Sequence, residues 1–156
     1  MISKFFSFFS TLMLLCSSGS LESAQEGQPA GIRWYTNAAQ AEQIARQENK
    51  PLVLFFTGSD WCGWCIKLEN EVLHTAQFAQ ATKGLFVFAK LDFPRNGPLD
   101  PALKEQNNQL KEQYQIRGFP SLLVISPQGA VLGKTGYKAG GPNNYANHLK
   151  ELAGLR

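Results

Sequence analysis

Two cysteines, Cys62 and Cys65, stand three positions apart in the run Trp61-Cys62-Gly63-Trp64-Cys65. Disulfide exchange needs a thiolate that attacks and a second thiol close enough to resolve the mixed disulfide. A C-x-x-C pair at a helix start supplies both. The first cysteine would lie among unpaired backbone N–H groups at the positive end of the helix dipole, which favours thiolate. One turn later the second reaches its sulfur. Cys62 is therefore expected to be the exposed, attacking thiol. Cys65, sharing an inward face with Leu68 and Val72, is the resolving one. As a staple the pair closes a tiny loop and restrains little chain entropy. Structural zinc would need two further Cys or His ligands, and His74 and His148 read as solvated residues on polar helix faces, so no metal is expected. Covalent haem attachment calls for a histidine directly after the second cysteine, where Ile66 stands. An inert disulfide is the bland alternative.

The chain around this pair has 156 residues, 44% hydrophobic and 17% charged, with a net charge of +3 and 3 cysteines. That length suits one domain able to bury a core without disulfides. With so small a charge and no Lys/Arg block there is no footprint for nucleic acid. Lys4, the run from Phe5 to Cys16 and the small polar Ser17-Ser18-Gly19-Ser20 have the three-part layout of a secretory signal peptide. The run is too short for a membrane span, which needs about 20 apolar residues. A cleaved leader over residues 1–23 is expected, with a short lead-in over 24–35. Lipid anchoring through Cys16 is a second possibility, although Leu15 stands where lipoprotein processing wants a small residue. Both methionines, Met1 and Met13, leave with the leader, so no thioether remains for haem or copper.

The elements that must position the pair are legible in the hydrophobic pattern. Asn37 is expected to cap a helix running to Glu48, with positions 38, 41, 44 and 45 inward. Leu52 to Thr57 reads as a strand buried on both faces. A single helix is expected from Cys62 to about Ala81, with 65, 68, 72, 76 and 79 inward. Leu85 to Asp92 reads as a second buried strand with Lys90 late in it, and Phe93 to Pro101 as loop. Ala102 to Tyr114 reads as a helix. Ser121 to Ser126 and Ala130 to Thr135 form a hairpin, and Pro142 to Leu155 a closing helix. The order α-β-α-β-α-β-β-α implies an α/β fold with a mixed sheet flanked by helices. Gly129 to Thr135 mimics a phosphate loop but has three residues between its glycines where four are required.

From Pro51 onward the chain resembles thioredoxin: a buried strand, WCGxC, then "FAKLD", "IRGFPSLLVIS", a glycine-rich turn and a final helix. The leader and the "GSDWCGWC" context look more like the exported, DsbH-type thioredoxin-like oxidoreductases. The resemblance implies a thioredoxin-like domain over residues 36–156, with Cys62 and Cys65 as the catalytic redox pair and no cofactor beyond their disulfide. It implies a cis peptide before Pro120, presenting the Phe119 backbone to substrate. Trp61, Gly63, Trp64, Phe119 and Pro120 would form the substrate-binding rim. Lys90 would lie near the buried cysteine and modulate its proton transfer.

Two departures from the family bear on mechanism. The strand before the motif lacks the buried aspartate of thioredoxins, so deprotonation of Cys65 needs water or another group, and Asp60 lies in the loop. The dipeptide is Gly-Trp, without the histidine of oxidases and isomerases, which places the expected potential on the reducing side. The expected protein is thus an exported, periplasmic, monomeric reductase of exported proteins' disulfides, recharged by a membrane-bound thiol reductant. A disulfide isomerase and a non-catalytic thioredoxin-like chaperone or adaptor are the alternatives.

Overall fold

The structure is a computed structural model and describes residues 31–155. The expected leader, Cys16 and most of the lead-in lie outside the described residues. Five strands form one sheet in the order β1-β3-β2-β4-β5. They are β1 (Trp34–Tyr35), β2 (Leu52–Thr57), β3 (Val87–Asp92), β4 (Ser121–Ile125) and β5 (Val131–Thr135). β3 runs parallel to both β1 and β2, whereas β4 is antiparallel to β2 and β5 to β4. The sheet is mixed, as the order of elements implied. Trp34 and Tyr35, expected in the lead-in, join it as an edge strand opposite Phe88 and Ala89.

All six residues of β2 are buried, because the strand is covered on both faces and paired on both edges. Its side chains alternate between two cores. Val53 and Phe55 pack with Leu68, Val72, Phe78, Tyr145 and Leu149 on one side of the sheet. Leu52, Leu54 and Phe56 pack with Ala41, Ala45, Leu91 and Ile116 on the other. Helix α1 (Ala38–Glu48) begins at Asn37, whose side chain accepts from Gln40 N, and ends at Asn49 in the left-handed region. Asp100 caps α4 (Pro101–Gln113) by accepting from Ala102 N and Leu103 N. Helix α5 (Gly141–Leu152) closes the domain, with Tyr145, Ala146 and Leu149 inward. Gly133 of β5 lies directly under Leu152, where an added Cβ would come within 2.7 Å of that side chain.

The helix expected over Cys62 to Ala81 is not continuous. Helix α2 (Gly63–Leu68) runs into a π-helical turn, Glu69–Leu73, closed by His74 N donating to Glu69 O at 2.8 Å. Thr75 then caps a new helix, α3 (Ala76–Thr82), by accepting from Phe78 N. The wider turn and the restart shift the register. Leu73 and Phe78 are buried, while Ala76, expected inward, is exposed. The apolar spacing alone could not reveal this, because alanine is tolerated on either face. Among the described residues no helix is long and apolar enough to cross a membrane.

The shifted register is testable by urea denaturation. Phe78→Ala should cost about 3–5 kcal/mol of stability, and Ala76→Ser no more than about 0.5 kcal/mol. Comparable losses at the two positions would restore the uninterrupted helix.

Candidate functional site

Strand β2 stops at Thr57 and the chain turns at Gly58, whose carbonyl accepts from Trp61 N at 3.3 Å and Cys62 N at 2.8 Å. The Trp61 ring lies so close over Gly58 that a Cβ there would overlap it. The turn delivers Cys62 to the N-cap of α2. Its Sγ accepts from Cys65 N at 3.2 Å and is bonded to Cys65 Sγ as a disulfide, with the two Cα atoms 5.2 Å apart. That amide N–H is a ready donor to a Cys62 thiolate when the pair is reduced. Cys62, expected to be exposed, is in fact mostly covered, at 6% accessibility, and Cys65 has none. Of the two sulfur-bearing residues only Cys62 keeps any exposure.

One wall of the rim is clamped by polar contacts. Asp60 accepts from Arg95 N at 2.9 Å and Asn96 N at 2.7 Å, and these donors hold its carboxyl below the usual carboxylate range. Ser59 donates twice to Asp92, from its backbone and its hydroxyl, and Trp61 Nε1 donates to Phe93 O at 2.8 Å. The 93–100 loop is thereby latched onto the active-site turn. The Arg95 guanidinium lies 4.0 Å over the Trp61 ring, whose edge meets Phe119 in a T-shaped contact at 5.7 Å. The Phe119–Pro120 peptide is cis. The other wall is Trp64, 59% exposed, with its ring 5.0 Å from Tyr137. Gly63 between the walls faces open space.

Further along the helical segment from the cysteines lies a charged cluster. Glu69, one helical turn past Cys65, is only 7% exposed. Its carboxylate accepts from Thr57 Oγ1 at 3.2 Å and pairs with Lys90 Nζ at 2.9 Å and His74 Nε2 at 3.2 Å. Lys90 is thus half-buried and paired rather than solvated. His74, expected on a solvated face, is drawn into the cluster by the π-helical turn. His148 bonds Thr135 Oγ1 at 3.0 Å. Glu69 escaped the reading of the apolar stripe, although a carboxylate lodged between Leu68 and Val72 on an inward face was the available signal. Tyr137 had no local signal, since its partners come from other elements. Among the described residues no group of three or more His, Cys, Asp or Glu side chains is arranged to hold a metal ion.

A Cys-x-x-Cys disulfide at a strand-to-helix turn of a mixed sheet, with a cis Phe119–Pro120 peptide joined to that turn through Trp61, defines a thioredoxin-like redox protein. Residues 38–153 match the model of the thioredoxin-like domain, and the chain belongs to that family. It is 34% identical over 138 residues to a disulfide bond reductase, DsbH, of Chlamydia pneumoniae, covering 86% of this chain and 82% of the relative. The thioredoxin-related protein DsbJ of the same organism is 29% identical, but this chain spans only 36% of its length. A solved DsbH oxidoreductase superposes with a TM-score of 0.77 at 33% identity, over 90% of this chain and 96% of that one. The chain is therefore a DsbH-type thiol–disulfide oxidoreductase whose redox group is the cysteine disulfide.

His74 should be visible in the pH dependence of stability. Burial pushes its pKa below the ordinary 6.5 and Lys90 adds to this, with Glu69 opposing. The unfolded chain therefore binds the proton first, and stability falls as pH drops from about 6.5 toward the lower folded value. Thermal melts between pH 7 and 5 should show this loss in the wild type and a flatter slope in His74→Gln. Parallel slopes would remove His74 from the cluster's energetics.

Proposed function

We propose that this protein is exported and reduces disulfides of other exported proteins. The Cys62 thiolate attacks a substrate disulfide, forming a Cys62–substrate bond and releasing one substrate thiolate, which takes up a proton. The Cys65 thiolate then attacks the Cys62 sulfur. The Cys62–Cys65 disulfide forms, the second substrate thiol leaves, and two electrons have passed from protein to substrate. A membrane-bound thiol reductant restores the dithiol. The observation that carries the reducing direction is the Gly63-Trp64 dipeptide. It puts no imidazolium beside Cys62, so the thiolate is less stabilised and the disulfide correspondingly more so. The leader-like residues 1–23 support export, and the reductase named among the relatives supports the direction.

The rim residues Trp61, Gly63, Trp64, Phe119 and Pro120 receive the substrate chain, which pairs with the Phe119 backbone as an added strand. Glu69 takes the role that thioredoxins give to a strand aspartate: held by Thr57 and Lys90, it accepts the Cys65 proton as the mixed disulfide resolves. Burying such a pair is weak grounds for stability, since desolvation offsets the attraction. A proton-handling role explains its presence better.

Two experiments test this reading. The mature protein should show a potential near −270 mV, roughly that of thioredoxin, and not near the roughly −120 mV of strong oxidants. Cys62→Ser should lower insulin reduction to the rate of dithiothreitol alone; full activity in that variant would leave only a binding module. For Glu69, the rate of mixed-disulfide resolution should fall about 100-fold at pH 7 in Glu69→Gln. Its rise with pH should move toward the free-thiol range near 8.5. Glu69→Gln/Lys90→Met, which strands no lysine, should show the same shift. A pH profile superimposable on wild type would exclude Glu69.

A further inference from the structure

The wall of the rim opposite Trp61 has a construction that disulfide exchange alone does not require. Trp64 exposes 59% of its surface, although a tryptophan is normally among the more buried side chains. It does not project freely, because its ring lies against Tyr137 at 5.0 Å. Tyr137 is fixed in turn. Its hydroxyl donates to Glu71 Oε2 at 2.7 Å, Glu71 Oε1 pairs with Lys67 Nζ at 2.7 Å, and Lys67 lies 5.8 Å from the centre of the Tyr137 ring. The brace closes on itself, and its two charges neutralise each other beneath the rings.

This arrangement is continuous with the rest of the rim. Gly136, next to Tyr137, lies against Pro120, where an added Cβ would stand 3.1 Å from the Pro120 carbonyl oxygen. Tyr145 anchors the same residue from below, its hydroxyl donating to Gly136 O at 2.7 Å. A surface thus runs from Phe119 and Pro120 through Gly136 and Tyr137 to Trp64, which stands in sequence between the two cysteines. This surface adjoins Cys62 through Trp64, two positions further along the chain. Ile66 is also exposed, at 41%, but two positions past Trp64 it stands on another face of α2.

We propose that Trp64 and Tyr137 form an aromatic shelf that seats an aliphatic or aromatic side chain flanking the disulfide of a protein substrate, with Tyr137 a specificity-determining residue. The proposal rests on the reading of Cys62 and Cys65 as a reductant of protein disulfides, and narrows its substrates to those with apolar flanks. Aromatic rings offer large contact area with little rotamer freedom to lose. A braced ring loses less still, so the contact favours binding without a large ordering cost. The brace is built to persist across neutral pH. Glu71 titrates below its ordinary range through its bonds to Lys67 and Tyr137, and Lys67 and Tyr137 titrate above theirs through Glu71. Val131 and Leu132 are also exposed, but they stand on β5 at the sheet edge and lack such a brace.

The test compares two disulfide-linked peptides, identical except for Phe or Ser beside the cysteine, with oxidised 2-mercaptoethanol as a probe that has no flank. The mature protein is reduced and single-turnover rates are measured. Wild type should favour the Phe peptide over the Ser peptide by about 10-fold, in line with the discrimination that apolar pockets achieve. Trp64→Ala and Tyr137→Ala should each bring that ratio to within about twofold, and Tyr137→Phe, which keeps the ring and loses the Glu71 bond, should fall between. The ratio cancels any change in thiol chemistry, because both peptides meet the same Cys62. Val131→Ala should leave it at the wild-type value. A wild-type ratio near one, or a preference that survives both alanine substitutions, would overturn the shelf. Wild type unable to reduce even oxidised 2-mercaptoethanol would remove the reductase reading, and the shelf with it.

Discussion

The active edge of this protein depends on the contact between Gly58 and the Trp61 ring. Strand β2 is paired on both sides and covered on both faces, so its end point is held by the sheet. From there the chain has only Gly58, Ser59, Asp60 and Trp61 in which to reverse and start a helix with Cys62 at its N-cap. The indole fills the inside of that reversal and leaves no room for a Cβ at Gly58. The same ring donates to Phe93 O, carries Arg95 on its face and meets Phe119 with its edge. One side chain thus joins the turn, the 93–100 loop and the segment before β4. The position of the sulfur is set by packing, and the reactivity of the sulfur follows from its position.

A second constraint acts on the far side of the disulfide. An α-helix continued unbroken past Leu68 would keep the ordinary repeat, but the π-helical turn admits an extra residue and alters which side chains meet the sheet. Glu69 and His74 thereby come together beside Lys90 of β3 and Thr57 of β2. In thioredoxins the carboxylate reaches the resolving cysteine from the strand. Here the strand carries no acid, and the buried carboxylate, Glu69, stands on the helical segment after Cys65. β2 thus carries no charge and only one polar side chain, Thr57, while the carboxylate sits where a lysine from the parallel neighbour can balance it.

The two walls of the rim differ in physical character. The Trp61 wall is a latch: backbone N–H groups of the 93–100 loop converge on Asp60, and Arg95 caps the indole. The Trp64 wall is open and apolar, stiffened from beneath by a neutral ion pair and a tyrosine hydroxyl. Between them Gly63 adds no side chain and borders open space.

Much of this was written in local sequence. The spacing of Cys62 and Cys65, the unbroken run Leu52 to Thr57, the Asn37 cap and the hairpin around Gly129 each concern residues a few positions apart. Their consequences follow from helix and strand periodicity alone. The order of the elements implied the mixed sheet, and the family resemblance added Phe119 and Pro120. Tertiary structure decided the rest: the edge strand at Trp34–Tyr35, the break after Leu68, the coverage of Cys62 and the pairing of Lys90. Those features join distant residues, with Lys90 and Glu69 separated by 21 positions and Tyr137 and Glu71 by 66. A two-residue strand has no periodicity of its own, and an alanine such as Ala76 carries no preference for either face. Sequence therefore determined the chemistry, which needs only the right atoms at short range. The partners that tune it were chosen by the packing of helices on the sheet, which no local pattern encodes.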